Sequence, residues 1–109
     1  MARVNKSHKK TLDSLKQINP NAAGIDIGAD SHWVSVSSNK EEQNVREFKC
    51  YTPDLYALAD WLAQCEIETV VMESTGVYWI PVFQILETRG FEVLLVNSHH
   101  VKLARSLAD

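Results

Sequence analysis

The stretch Ala22-Ala23-Gly24-Ile25-Asp26-Ile27-Gly28 constrains the fold more than any other part of the chain. Ile25 and Ile27 alternate with Gly24 and Asp26, a period of two that gives a strand with one apolar face. Asp26 stands in the middle of it. A carboxylate in an apolar strand is costly to bury unless it is paired, hydrogen-bonded or bound to a metal. The flanking glycines lack side chains and are expected to leave room beside Asp26 for a metal or a phosphate backbone. An aspartate that only hydrogen-bonds turn amides is the plainer alternative.

The pattern continues after the turn Gly28-Ala29-Asp30. Ser31 to Ser38 alternates again, with His32, Val34 and Val36 on one face, and Val45 to Tyr51 is a third strand candidate. Spacing this tight predicts an antiparallel meander. Thr52-Pro53-Asp54 is a helix start, with Thr52 as the N-cap, and Leu55, Leu58, Ala59 and Leu62 form the buried stripe. Glu66 to Glu73 contains the β-branched run Thr69-Val70-Val71, a buried strand. A second helix is expected from about Tyr78, because Pro81 is tolerated only in a first turn, and Gly90 ends it at C′. Phe91 to Val96 is a fifth strand, and Val101 to Ala108 reads as the start of a further helix. The order βββαβαβ gives an α/β fold, a mixed five-stranded sheet of ribonuclease H-like type flanked by helices, with the first strand inside it.

Composition limits the function classes. With 45% hydrophobic and 23% charged residues in 109, the chain suits one globular domain. No apolar run approaches the roughly 20 residues of a membrane span, and no secretory signal is visible, so a cytoplasmic location is expected. Cys50 and Cys65 have no CxxC spacing, against a disulfide framework or a zinc ribbon. Charge is uneven. Residues 1–16 hold Arg3, Lys6, Lys9, Lys10 and Lys16 against Asp13, whereas the remainder holds six basic and thirteen acidic residues. Residues 1–21 are read as a flexible basic leader, either a contact for phosphates or simply a solvated tail, and 22–109 as the folded domain.

A second acidic candidate is Glu73, at the end of the fourth strand and ahead of Ser74-Thr75-Gly76. Ligands of open α/β sheets bind beyond the carboxyl ends of strands. If strands one and four are neighbours, Asp26 and Glu73 can face one another and share one or two Mg²⁺ ions, an arrangement suited to phosphoryl transfer. Glu73 as a helix cap is the alternative. Two carboxylates alone make a weak Mg²⁺ site, since the ion keeps most of its waters. His32 reads as a core histidine, Asp30 as a turn residue, and Trp61 and Trp79 as helix packing. His99 and His100 point apart and make a poor metal pair.

Asn21 to Gly28 followed by Ser31-His32-Trp33-Val34 resembles the opening of the DEDD-type transposases of the insertion-sequence family numbered one hundred and ten. So do Met72-Glu73-Ser74-Thr75-Gly76-Val77-Tyr78-Trp79, and Val96-Asn97 with His100-Val101-Lys102. The resemblance runs from about residue 20 to 102. It implies a Holliday-junction-resolvase-like domain, with Asp26 and Glu73 as metal-binding catalytic residues. It also implies DNA strand exchange guided by a structured RNA; self-association is a further expectation, and Thr75 and Lys102 are further candidate nucleic-acid contacts. Two further aspartates belong to the family pattern after the fifth strand. The run Leu103 to Asp109 holds only Asp109, and the chain is expected to be a truncated N-terminal portion. A catalytically silent nucleic-acid-binding module is therefore a second reading. A third is a phosphate-binding piece of the actin and sugar-kinase superfamily, which also opens on a Gly-Ile-Asp-Ile-Gly strand.

Overall fold

The computed structural model describes residues 21–37, 39–74 and 76–96, and the backbone of 101–103. The meander is β1 (Ala22–Ile27), β2 (Ser31–Ser35) and β3 (Val45–Lys49). It is followed by α1 (Thr52–Gln64), β4 (Thr69–Glu73), α2 (Trp79–Thr88), β5 (Glu92–Val96) and β6 (Val101–Leu103). The five expected strands occur in the expected order, and β6 makes the sheet six-stranded, in the order β3-β2-β1-β4-β5-β6. β1, β4 and β5 run parallel at the centre; β2, β3 and β6 are antiparallel to their neighbours. β1 lies inside the sheet, and the mixed α/β architecture is consistent with a ribonuclease H-like fold.

Register divides the sheet into two chemically different faces. On one, Ala23, Ile25 and Ile27 of β1 align with Val34 and His32 of β2 and with Val70 and Met72 of β4. These apolar residues form one cluster with Leu55, Leu58, Ala59, Trp61 and Leu62 of α1 and Val82, Phe83 and Leu86 of α2. Ile25, Leu58, Leu62, Val70, Met72 and Leu86 are wholly buried. Full burial of such side chains contributes roughly 1.5–3 kcal/mol each. Both described helices thus pack on the same face of the sheet. The other face carries Gly24, Asp26, Trp33, Val71 and Glu73, none of which joins that cluster.

Two local readings are corrected and one holds. Tyr51, not Thr52, is the N-cap of α1. Its side chain makes no capping bond, and its carbonyl accepts the N–H groups of Asp54 and Leu55. The glycine rule for the end of α2 holds, with Gly90 at φ +92° donating to the Glu87 carbonyl. The segment from Val101 starts as a strand rather than a helix, because Val101, Lys102 and Leu103 pair with Val96, Leu95 and Leu94. Three residues carry too little periodicity to outweigh a ready-made strand edge. Residues beyond Leu103 lie outside the described residues.

Candidate metal and nucleic-acid site

β1 and β4 are parallel, so their carboxyl ends emerge side by side. Asp26 is the register partner of Glu73. Paired residues on adjacent strands point to one face, and the strands lie about 4.8 Å apart. The pair belongs to a row that crosses the sheet, Glu47–Trp33–Asp26–Glu73–Val96, each residue paired with the next. Asp26 and Glu73 are half-buried. Position 26 carries a charged group without loss of core because its neighbours Ile25 and Ile27 point the other way.

Asp26 and Trp33 line a concavity of about 400 Å³ together with the turn 27–31. The residue types suit a hard divalent cation, which takes carboxylate oxygens as ligands. Among the described residues no group of three or more His, Cys, Asp or Glu side chains is arranged to hold a metal.

The two flanking glycines were expected to leave space for such a ligand. At Gly28 that space is already taken: a Cβ there would stand 2.7 Å from the backbone oxygen of Ser31. Gly28 is required by a tight β1–β2 turn rather than by ligand approach.

A polar network holds this turn from the core side. The Gly28 N–H donates to His32 Nδ1 at 3.3 Å, so the ring proton resides on Nε2, which lies 3.4 Å from Cys50 Sγ. The Cys50 thiol in turn donates to the Ala29 carbonyl at 3.5 Å. Burial, with Asp30 and Asp54 nearby, raises the thiol pKa and keeps its proton in place. His32 is the buried histidine expected from the pattern, at 1% exposure. Its contact with Cys50 was not legible, since it arises only when β3 pairs with β2 and brings residue 50 past the end of the strand.

Burial lowers the pKa of His32 below its ordinary 6.5. Above pH 6.5 the ring is neutral in both folded and unfolded chains and contributes no pH dependence. Below it the unfolded chain takes up the proton first, so folding stability declines until pH drops past the lowered folded pKa. The unfolding midpoint is expected to fall between pH 7 and pH 5, and His32→Gln is expected to flatten that fall. Thermal unfolding across this range checks both; an unchanged slope in the variant would assign the decline to other groups.

Of the other sequence candidates, Lys102 lies in β6, opposite Leu95 and three strands from Asp26. Arg3, Lys6, Lys9, Lys10, Lys16 and Thr75 lie outside the described residues. Trp33, the register partner of Asp26, was not among the sequence candidates; its place beside Asp26 follows from the β1–β2 pairing.

The family model for the DEDD-type transposases of insertion-sequence family 110, described as a transposase, matches residues 23–109. No curated protein matches the chain. The match takes in β1 through β6, with both Asp26 and Glu73, and covers most of the chain, which belongs to this family of DNA transposases.

Proposed function

We propose that Asp26 and Glu73 hold a divalent cation, with Mg²⁺ the natural choice, and present it to a phosphate of DNA during strand cleavage and exchange. The observation that carries this reading is the register pairing of the two carboxylates at the carboxyl ends of adjacent parallel strands. Such ends are where ligands bind in open α/β sheets. A bound cation supplies charge stabilisation at a phosphoryl oxygen. Asp26 and Glu73 bind and orient it through their oxygens, and the Gly28 turn fixes one wall of the concavity.

The acidic body repels DNA, and the basic residues Arg3, Lys6, Lys9, Lys10 and Lys16 offset that repulsion by contacting phosphates, with Thr75 and Lys102 as further contacts. The reading extends to a structured RNA guide, to self-association and to a cytoplasmic location. Among the described residues no helix is long and apolar enough to cross a membrane.

Titration of branched DNA into the chain, with Mg²⁺ and with chelator, tests the proposal. Binding is expected to strengthen with Mg²⁺. Removal of residues 1–16 is expected to lower the log–log salt slope by about 0.7–0.9 per lost phosphate contact. Binding indifferent to Mg²⁺ would overturn the metal role. Mg²⁺-dependent binding without cleavage would favour the nucleic-acid-binding module over an autonomous nuclease.

A further inference from the structure

Trp33 stands apart from the core cluster on which the other two tryptophans, Trp61 and Trp79, pack. Trp61 lies in α1, 4% exposed, with its ring 5.9 Å from that of Phe48 and the Arg46 guanidinium 4.6 Å above it. Trp79 packs edge-on against Phe83 at 5.8 Å. Trp33 sits on the opposite face of the sheet from both helices and outside their cluster. Its register partners are Asp26 on one side and Glu47 on the other, and its same-face neighbours along β2 are Ser31 and Ser35. Among the described residues, this half-buried ring is set between two carboxylates and two hydroxyls rather than in the apolar cluster. It lines the concavity that Asp26 lines.

We propose that the Trp33 indole is a stacking platform for an unstacked nucleobase belonging to the strand whose phosphate is held at Asp26 and Glu73. The inference rests on the metal-site reading for the position of that phosphate. Directly paired residues on antiparallel strands have Cβ atoms about 4.5–5.5 Å apart, so ring and carboxylate serve neighbouring parts of one nucleotide strand. The chemistry of the row favours a base over a second phosphate. Asp26, Glu73 and Glu47 repel anions, whereas every base offers a neutral π face. An aromatic platform also adds affinity without releasing counterions, and so complements the salt-sensitive basic arm.

The experiment measures binding of the full chain, in Mg²⁺, to branched DNA and to structured RNA carrying 2-aminopurine at unpaired positions. Trp33→Ala is expected to weaken binding about tenfold or more. It should also abolish the quenching of 2-aminopurine that stacking produces, and leave the log–log salt slope unchanged. Trp33→Phe should retain most of the affinity. Circular dichroism and the unfolding midpoint show whether each variant is folded. A loss confined to DNA or to RNA identifies which strand supplies the base. Wild-type affinity in folded Trp33→Ala, or a loss that Trp33→Phe does not rescue, would overturn the platform. Binding that ignores Mg²⁺ and Asp26→Asn yet weakens in Trp33→Ala would overturn the metal reading and leave the platform standing.

Discussion

Asp26→Asn and Glu73→Gln are each expected to weaken divalent-cation binding by at least about tenfold. Loss of an outer partner that merely orients a metal ligand already costs 10–100-fold, and these residues are proposed as the ligands themselves. Each substitution keeps the shape of the side chain and removes its charge, so the effect falls on the ion and not on packing. A second readout follows from linkage. A cation at ten times its Kd stabilises the fold that binds it by about 1.4 kcal/mol. Thermal unfolding of the wild-type chain should therefore shift upward with Mg²⁺, and that shift should vanish in either variant. DNA binding at fixed Mg²⁺ should decline in parallel. Cation affinity equal to wild type in both variants would place the metal elsewhere.

The second large effect is expected at Gly28. Alanine there puts a methyl group 2.7 Å from the Ser31 carbonyl oxygen. The obstacle is backbone, which cannot rotate aside as a side-chain tip can, so the β1–β2 turn must open. Overpacking of this kind costs about 1–3 kcal/mol. In a domain of this length each kcal/mol lowers Tm by roughly 4–8 °C. The displaced turn is the wall of the concavity beside Asp26, and its N–H would move away from His32 Nδ1. Gly28→Ala is therefore expected to weaken both stability and nucleic-acid binding. A variant with wild-type Tm would show that the turn opens without cost.

Asp26 and Glu73 also illustrate what was legible in the sequence. Ile25 and Ile27 against Gly24 and Asp26 gave β1 its faces, and the run Val70-Val71-Met72 gave β4 its burial. The expected order then made the two strands neighbours, and their register pairs the two carboxylates. What the sequence concealed was decided by partners distant in the chain. β6 exists because β5 offers an edge, not because Val101-Lys102-Leu103 has a pattern. Cys50 meets His32 because of the β2–β3 register, which no local spacing encodes. The placement of the two described helices on one face follows from how the chain crosses over the sheet, and the amphipathic stripes of α1 and α2 are compatible with either face.

The parallel pairing of β1 with β4 has a kinetic consequence. β1, β2 and β3 follow one another directly in the chain and can associate early, carrying Asp26 with them. Glu73 arrives only after α1 has been traversed and β4 has inserted along β1, and contacts between such distant segments form slowly. On the proposed metal site, the half-built meander would offer a cation one carboxylate and the completed sheet two. Uptake of the ion during refolding should lag behind hairpin formation, which makes cation affinity a clock for the closing of the central strand pair.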